Sequence, residues 1–400
     1  MSATTLARPT IQVAKPSLGV EEEAAVLEVL RSGWISQGPK VGEFEREFAA
    51  YVGAPHAIAV SSCTTALHLA MIVADVREGD EVICPSLSFI ATANAIRYLG
   101  ARPVFVDIDP VTYNLDPEKV EAAITARTKA ILAVHQVGMP AAMAELGSIA
   151  ERRGIALLED AACAIGSTYN RERVGHPHSL LACFSFHPRK VLTTGEGGMI
   201  TTADAEIASR LRRLRQHAMS VSDLARHSSS KIVTECYDEV GFNFRMTDLQ
   251  AAVGLVQLKR LAGFLERRRQ RAARYTEALA KLPFLVVPAE PEGCQSNFQS
   301  YMVRMLDSSP VSRDELMQKL LDRGISTRRG VMAIHREAPY QDPMWDALLP
   351  NTNAVTDSAI ILPIYDQMSD ADQQYVLDAI FDVCESTARE EVNDKAGALV

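Results

Sequence analysis

The sequence predicts an α/β fold built around a mostly parallel sheet, and three observations predict it. Between residues 55 and 202, seven short runs rich in β-branched and apolar residues alternate with helical patterns. Several of these runs are almost continuously apolar, as strands covered on both faces are. The last two runs are joined by a connection too short for a crossover helix, so we expect that pair of strands to be antiparallel.

The predicted strands and helices follow one another along most of the chain. The predicted strands of the sheet are 56–62, 81–86, 102–108, 129–137, 155–161, 181–186 and 198–202. Helical patterns cover 64–73, 91–100, 116–125 and 247–282, and the strongly basic later half of the last one predicts a solvated face. A strand at 299–306 then opens a smaller α+β region. We predict a large cofactor-binding domain over 12–260, a small C-terminal domain over 261–385 and a flexible tail over 386–400.

Composition and charge exclude several classes of function. The 47% hydrophobic and 23% charged residues are typical of a globular protein, and a net charge of −9 argues against nucleic acid as a partner. No run of eighteen apolar residues predicts a membrane span, and the N-terminal residues lack the apolar core of a signal peptide. The seven cysteines are odd in number and scattered, without the CxxC spacing of a zinc site. They predict reduced thiols, a cytoplasmic protein and no metal.

In an open α/β sheet, ligands bind at the carboxyl ends of the strands, so residues at those ends are the candidates for function. The first strand runs into Ser61, Ser62, Cys63, Thr64 and Thr65, where a helix begins. Small hydroxyl residues and free backbone N–H groups at a helix N-terminus suit a phosphate. Plain N-capping is the alternative, but it explains one Ser or Thr and not four.

Three further side chains follow strand ends. Asp160 ends the fifth strand, where a carboxylate needs a cation or hydrogen-bond donors. Either a structural ion pair or a protonated ring nitrogen would meet that need. Lys190 follows the sixth strand by four residues and precedes the glycine-rich "TTGEGG"; its amine could form a Schiff base with an aldehyde or ketone. Phe89, after the second strand, could stack on a flat ring or belong to the core. A phosphate anchor, a carboxylate for a ring nitrogen and a lysine for an aldehyde together describe pyridoxal 5′-phosphate (PLP).

From about residue 12 to 384 the chain resembles the DegT/DnrJ/EryC1/StrS family of PLP-dependent aminotransferases, most of which act on sugar nucleotides. The motifs that carry the resemblance include "GWISQGPKVGEFEREFAAYVGA", "AVSSCTTALHLA", "PSLSFIATANAI", "LLEDAACAIGS", "FSFHPRKVLTTGEGGMI" and "GFNFRMTDLQAAVGLVQL". The resemblance implies an aspartate-aminotransferase-like (type I PLP) fold. In that fold a large domain with a seven-stranded sheet is followed by a smaller α+β domain.

The resemblance also implies roles for individual residues. Lys190 would carry the cofactor and move protons, with pyridoxamine 5′-phosphate as the alternate cofactor form. Asp160 would keep the ring nitrogen protonated, and Phe89 would stack on the ring. Asn243 would reach the phosphate in the neighbouring subunit, so a homodimer is expected. The residues implied to bind the phosphate are Thr64, Ser185 and the backbone around Cys63 and Thr65.

This sequence departs from the family pattern at two cysteines. Cys63 stands where the family usually has Gly, so the phosphate turn must tolerate a side chain. Cys163 stands where Gln is common, near the phenolic oxygen of the cofactor. His187 and His335 are candidates either for the substrate site or for structural roles, and Arg245 is a candidate contact for an acidic donor or a nucleotide phosphate.

The leading functional hypothesis is transfer of an amino group from L-glutamate or L-glutamine to a keto-sugar nucleotide by a ping-pong cycle. The acceptor could instead be a keto-cyclitol or another cyclic ketone of secondary metabolism. Dehydratase relatives typically replace the lysine with histidine, so retention of Lys190 favours transamination. A PLP lyase and a non-catalytic regulatory protein that keeps the fold are the remaining alternatives. The second would be expected to lose Lys190, Asp160 or the phosphate cluster, and all three are present.

Overall fold

The structure, a computed structural model, describes residues 10–221, 226, 232 and 234–397. Its largest sheet has seven strands in the order β1-β9-β8-β5-β4-β2-β3. These strands are β1 His56–Val60, β2 Glu81–Pro85, β3 Arg102–Val106, β4 Thr128–Val134, β5 Ala156–Asp160, β8 Leu181–Ser185 and β9 Gly198–Thr202. Each of them overlaps its predicted span, and the ends differ by at most three residues, the largest difference being at the end of β4. Strands buried on both faces could be predicted because they appear in the sequence as apolar runs.

Most pairs of neighbouring strands in this sheet are parallel. Strands β3, β2, β4, β5 and β8 pair in parallel, whereas β9 pairs antiparallel with both β8 and β1. The predicted antiparallel pair is therefore confirmed, as is the predicted fold class. Parallel pairing brings the carboxyl ends of β2, β4, β5 and β8 to one edge of the sheet, which is where the candidate residues lie.

Helices cover both faces of the sheet. They are α1 Val20–Ser32, α2 Pro39–Val52, α3 Cys63–Val73, α4 Ala91–Arg97, α5 Pro117–Ala123, α6 Met143–Arg153 and α7 Ala205–Leu214. One face packs largely on α3, α4 and α7 and the other on α2, α5 and α6, with separate apolar clusters on the two sides. A smaller sheet of short strands, in the order β11-β6-β7, lies beside it, with β6 Thr168–Tyr169, β7 Glu172–Arg173 and β11 Cys294–Gln295.

A second, four-stranded sheet forms the core of the C-terminal region, with the order β10-β12-β14-β13. Its strands are β10 Leu285–Val286, β12 Tyr301–Met305, β13 Arg328–Arg329 and β14 Ala359–Leu362. The helices of this region are α9 Arg313–Asp322, α10 Pro343–Leu348, α11 Pro350–Ser358 and α12 Asp370–Gly397. Ile11, near the N-terminus, bridges to Ile325 and belongs to the same apolar core. The backbone of 386–397, within the predicted flexible tail, continues α12.

One long helix, α8 (Asp248–Leu279), connects the two sheets. Its first half packs with the large sheet through Ala251 and Leu255, and its second half joins the C-terminal core through Tyr275 and Leu279. The predicted boundary between residues 260 and 261 therefore falls inside a continuous helix. Among the described residues, no helix is both long and apolar enough to cross a membrane.

The sequence predicted that the basic half of α8 forms a solvated face. In the structure, some of its arginines contact acidic residues instead. Arg267 donates a hydrogen bond to the Asp366 carboxylate at 2.5 Å, and Arg271 lies 3.3 Å from Asp370 at the start of α12. The side chain of Arg271 is only 13% exposed. These arginines contact acidic residues of the C-terminal region. Those residues lie far away in the sequence, so the contacts could not be predicted from it.

Candidate active site

The turn between β1 and α3 has an unused hydroxyl group and a free helix N-terminus. Ser62 is the N-cap: its hydroxyl accepts a hydrogen bond from the Thr65 backbone N–H at 3.2 Å. The Thr65 hydroxyl donates in turn to the Ser62 carbonyl at 2.8 Å. The Thr64 hydroxyl makes no hydrogen bond to any residue that the structure describes. Capping therefore explains Ser62 and Thr65, and leaves Thr64 with the first N–H groups of α3 for an anion.

The Cys63 side chain points away from this turn. It is buried, and its thiol faces the Cys183 carbonyl of β8 at 3.7 Å. Burial raises the pKa of Cys63 well above its usual value, with the nearby Asp160 carboxylate adding to the effect, so the thiol stays neutral. The departure from glycine is accommodated because the side chain occupies the space between α3 and the sheet.

Glycines behind the turn allow β9 to approach it closely. A Cβ on Gly198 would lie 2.6 Å from the Ser62 carbonyl carbon and oxygen and 2.8 Å from the Cys63 nitrogen. Gly195, in the same "TTGEGG" stretch, has a left-handed φ of +83° and open space around it. Gly195 therefore meets the predicted need for a positive φ, whereas Gly198 is needed for close packing.

Asp160 lies at the end of β5 and is 5% exposed. Its two carboxylate oxygens accept hydrogen bonds from the Thr92 hydroxyl at 2.8 Å and from the Ala162 backbone N–H at 3.2 Å. Burial raises the pKa of Asp160, and these two bonds together with the charge of Lys190 only partly oppose it. A cationic N–H group beside this carboxylate would stabilise its ionised form, as the pyridinium nitrogen of PLP does.

The Lys190 amine lies beside a thiol. Its Nζ donates a hydrogen bond to Cys163 Sγ at 3.1 Å. Burial lowers the pKa of Lys190, but the hydrogen bond to Cys163 and the nearby Asp160 carboxylate outweigh burial and leave the pKa above its ordinary value. The side chain is thus held among groups that favour its protonated form, and it must lose a proton before it can act as a nucleophile.

Phe89 and Ser185 both remain available to a ligand. Phe89 is 64% exposed, so it is not a residue of the core and its ring is free to stack on a planar group. Ser185, half-buried at the end of β8, accepts a long hydrogen bond of 3.4 Å from the His187 backbone N–H. Its hydroxyl proton has no acceptor among the described residues.

Residues 243–245 lie beside the phosphate turn. The Ser61 backbone N–H donates to the Phe244 carbonyl at 2.8 Å, which fixes this segment next to the start of α3. Asn243 is exposed, and Arg245 forms neither an ion pair nor a side-chain hydrogen bond within the described part of the chain. Both side chains are therefore available for contacts outside this subunit's own fold.

The two candidate histidines are placed differently. His187 is half-buried, and its Nδ1 accepts a hydrogen bond from the Arg189 backbone N–H at 3.2 Å. His335 is 2% exposed; Ser86 Oγ accepts from its backbone N–H at 3.0 Å and lies 2.7 Å from its Nδ1. Nε2 faces the Asp346 carboxylate at 3.3 Å, which can only accept, so the ring proton lies on Nε2 and Nδ1 accepts from Ser86 Oγ. These contacts favour a structural role for His335, joining the segment around residue 335 to the end of β2.

Two supporting residues were not singled out from the sequence. Thr92, which donates to Asp160, lies on α4 and itself contacts the Ser88 hydroxyl at 2.7 Å. His135, fully buried, accepts the Ala141 backbone N–H at Nδ1 (2.9 Å) and therefore donates from Nε2 to Glu159 at 2.8 Å. The sequence identified Asp160 at the end of β5 but neither Thr92, which lies on α4, nor His135, which follows β4.

A lysine, a buried carboxylate, an exposed aromatic ring and a turn with free backbone N–H groups at one sheet edge are the features expected of a PLP-dependent enzyme. A family model of the DegT/DnrJ/EryC1/StrS aminotransferase family matches residues 16–381. The spore coat polysaccharide biosynthesis protein SpsC of Bacillus subtilis (strain 168) is 41% identical over 372 residues, which cover 92% of this chain and 95% of SpsC. The chain therefore belongs to the DegT/DnrJ/EryC1/StrS aminotransferase family.

Solved structures agree with this assignment. DesV of S. venezuelae, crystallised in complex with a ketimine intermediate, has a TM-score of 0.86 and 35% identity. The match covers 94% of this chain and 99% of DesV. Spr1654 of Streptococcus pneumoniae in its PLP form has a TM-score of 0.87 and 29% identity, over 94% of this chain and 99% of that one. The predicted enzyme class and cofactor are confirmed, and the non-catalytic alternative is set aside.

Proposed function

We propose that this aminotransferase takes an amino group from L-glutamate or L-glutamine and delivers it to a keto-sugar nucleotide in a ping-pong cycle. The observation that carries the proposal is the position of the Lys190 amine, beside the buried Asp160 and near a helix N-terminus with a free hydroxyl. A sugar acceptor is supported by the relative SpsC, whose name places it in polysaccharide biosynthesis.

The proposed roles follow from the contacts of each side chain. Lys190 holds the cofactor aldehyde and carries a proton between the substrate and the cofactor. Asp160 keeps the ring nitrogen protonated, and Phe89 covers one face of the ring. Thr64 and Ser185, with the N–H groups of the first turn of α3, bind the phosphate. When bound, PLP supplies the electron-withdrawing ring that makes the substrate Cα–H bond acidic.

Substrate contacts are proposed for side chains that the fold leaves unpaired. Arg245, with no counter-ion in the described structure, would bind an anionic group: the donor carboxylate or a nucleotide phosphate. His187 lies three residues before Lys190 and keeps its Nε2–H free of any intramolecular hydrogen bond among the described residues. Cys163, 3.1 Å from the Lys190 amine, would lie at the cofactor rather than at the sugar. His335 is less suited to a substrate role because its ring is already engaged.

We also propose a homodimer in which Asn243 of one subunit reaches the phosphate of the other subunit's cofactor. The exposure of Asn243 and its place beside the turn before α3 support this arrangement. Exposed apolar side chains such as Phe89, Ile35 and Leu30 are further candidates for burial between subunits. A cytoplasmic location stays a prediction, supported by seven free cysteines.

The first half-reaction is tested by absorption spectroscopy of the purified holoenzyme. We expect a visible cofactor band that bleaches on addition of L-glutamate or L-glutamine, with one equivalent of the corresponding keto acid released. Lys190→Ala should lack the band and the activity, whereas Lys281→Ala, which removes an exposed lysine after α8, should keep both. A band that neither donor changes would contradict the proposed donors.

The second half-reaction separates the two acceptor hypotheses. After bleaching and removal of donor, keto-sugar nucleotides and keto-cyclitols are added separately and recovery of the visible band is followed. Recovery with a keto-sugar nucleotide supports the proposal. Recovery only with a cyclitol or other cyclic ketone would replace the proposed acceptor with that class and leave the transaminase chemistry intact.

A further inference from the structure

A group of two histidines and a glutamate lies outside the proposed active site. Glu172 is on β7, and His176 and His178 are in the loop that leads towards β8, within the sequence "ERVGHPH". We propose that these three side chains bind a zinc ion. No metal was predicted from the sequence because its cysteines lack the spacing of a zinc site, whereas the ligands here are imidazoles and a carboxylate.

The distances among these groups suit a metal ion of this size. His176 Nε2 lies 3.6 Å from Glu172 Oε1, and His178 Nε2 lies 3.0 Å from Glu172 Oε2. Ligands about 2.0–2.1 Å from a tetrahedral zinc ion are separated by about 3.3 Å, between the two observed distances. One ligand atom from each residue can be chosen so that all three lie within 4.8 Å of one another. Small rotations of the two imidazoles would close the remaining gap.

Hydrogen bonding does not account for this arrangement. His178 Nε2 is shielded from solvent and has no properly directed hydrogen-bond partner, although a carboxylate oxygen is only 3.0 Å away. His176 Nδ1 is also shielded and without a partner in the described structure. Shielded polar atoms in folded proteins are nearly always paired, so these two nitrogens need an explanation. A metal ion held between His178 and Glu172 supplies the missing partner for His178 Nε2.

The backbone holds these side chains in place. The Val174 N–H donates to the Ser167 carbonyl at 2.9 Å, and the Thr201 hydroxyl of β9 donates to the Gly175 carbonyl at 3.0 Å. Gly175 has a φ of +97°, and a Cβ there would lie 2.7 Å from the Phe184 ring. The turn between the carboxylate and the histidines is therefore tied to the large sheet, so little conformational entropy would be lost when the metal binds.

The chemistry of the three ligands favours zinc, and their position in the fold indicates what the metal would do. Two imidazoles and one carboxylate suit zinc, and a water molecule would complete four-coordination. The site involves neither Lys190 nor Asp160, so its function would be to connect β7 with the loop before β8. Metal binding would stabilise the folded chain by an amount that rises with the logarithm of the free zinc concentration above the dissociation constant. Acid would weaken it, because histidine ligands must be neutral.

The test measures zinc binding to chelator-stripped holoenzyme, by competition with a chromophoric chelator. We expect one zinc ion per chain and a weakening of at least about tenfold in each of Glu172→Gln, His176→Gln and His178→Gln. The control is His217→Asn, which removes an exposed histidine at a left-handed φ of +63° that asparagine tolerates. Zinc should also raise the thermal midpoint of the wild type and of the control but not of the three variants.

Cobalt(II) provides a second measurement that needs no variant. Bound at this site, it should give the visible d–d absorption of a four-coordinate ion, which zinc displaces. No stoichiometric binding in the wild type, or equal binding in the wild type and all three variants, would overturn the proposal. Neither result would affect the proposed aminotransferase activity, which is read from the cofactor band in metal-free enzyme.

Discussion

The hydrogen bond between Lys190 and Cys163 sets the state of the amine before the cofactor arrives. Burial alone would lower the pKa of Lys190, but the Cys163 thiol at 3.1 Å and the nearby Asp160 carboxylate raise it above its ordinary value. Only the neutral amine attacks an aldehyde, so this environment slows attachment of the cofactor at neutral pH. The departure of Cys163 from the family pattern therefore has a measurable consequence.

Replacing Cys163 with alanine should speed cofactor attachment at neutral pH. The substitution removes one of the groups that raise the pKa of Lys190, so the pH profile for attachment should move to lower pH. At a fixed pH below that pKa, we expect an increase of about fivefold, the effect of one hydrogen bond of about 1 kcal/mol. Stopped-flow mixing of apoenzyme with PLP measures it. Cys236→Ala, at an exposed cysteine, is the control, and a profile that does not move in Cys163→Ala would contradict the argument.

We expect Thr92 to affect catalysis only through its hydrogen bond to Asp160. Its hydroxyl donates to the Asp160 carboxylate at 2.8 Å and opposes the rise in the pKa of Asp160 that burial causes. Thr92→Val removes that donor and keeps the shape, so the pKa of Asp160 should rise further. We expect the acid limb of the kcat/KM profile to move to higher pH by about one unit, with a fall of roughly tenfold on that limb, as for loss of a hydrogen bond to a charged group.

A matched control for this change lies in a surface loop. The Thr112 hydroxyl donates to the Asp109 carboxylate at 2.9 Å, the same kind of contact outside the active site. Thr112→Val should leave the pH profile of kcat/KM unchanged. Equal effects of the two substitutions would show that Thr92 acts through general stability and not through Asp160.

At the scale of elements, the approach of β9 to the first turn of α3 determines the shape of the phosphate site. A Cβ at Gly198 would lie within 2.6–2.8 Å of the backbone at Ser62 and Cys63, so Gly198→Ala must displace the turn. We expect the dissociation constant for PLP, from titration of the apoenzyme, to rise at least about tenfold, or by about 1.4 kcal/mol.

The comparison variant is Gly195→Ala in the same loop. Its Cβ would meet no atom within 4 Å, but a φ of +83° is unfavourable for alanine and costs about 1–2 kcal/mol of stability. PLP affinity in this variant should stay close to wild type although the thermal midpoint falls. Should both alanine variants bind PLP equally well, the close approach of β9 would not be what shapes the site.

The large sheet could be predicted from the sequence because each strand that is buried on both faces appears there as an apolar run. The apolar runs at β4 and β5 need no knowledge of their neighbours, and the short connection before β9 shows that this strand is antiparallel. The two-residue strands β6 and β7 were missed because two residues carry no periodicity. Contacts between distant segments could not be predicted either. The Asp248 carboxylate accepts hydrogen bonds from the backbone N–H groups of Gly38 and Val41, more than 200 positions away in the sequence.

The candidate site could be predicted where a residue type and a strand end coincide. Lys190, Asp160 and the hydroxyl cluster at the start of α3 were identified on that basis. The partners of Asp160 could not be identified, because Thr92 is one of many threonines and only the folded chain brings the first turn of α4 to the end of β5. His335 was left open between a substrate role and a structural role, and its contacts with Ser86 and Asp346 favour the structural one.

At the scale of the whole molecule, the C-terminal region also supports the loop that carries Lys190. Asn297, in the segment that leads into the smaller sheet, donates from its side chain to the Cys163 carbonyl at 2.8 Å. Gln299 donates to the Arg189 carbonyl, next to Lys190, at 2.9 Å. The site thus takes structural support from both sheets of one subunit. Contacts within this subunit do not explain the proposed role of the exposed Asn243.

Hybrid dimers test whether Asn243 serves the neighbouring subunit. A subunit with Lys190→Ala is combined with one that carries Asn243→Ala, using two different affinity tags to isolate the mixed species. If Asn243 acts across the interface, one of the two sites contains both wild-type residues and the other contains neither. The hybrid should then have about half the activity of a wild-type dimer, although Lys190→Ala homodimers are inactive and Asn243→Ala homodimers bind PLP weakly.

The opposite geometry predicts a different result from the same preparation. If Asn243 acts within its own subunit, the one site that keeps Lys190 lacks Asn243, and the hybrid should show the weak PLP binding of the Asn243→Ala homodimer. A hybrid of two wild-type subunits with the same tags controls for the purification. Elution of the wild type as a monomer would exclude a shared site altogether. Activity near half, with one PLP bound at wild-type affinity, would establish the shared site that the exposure of Asn243 suggests.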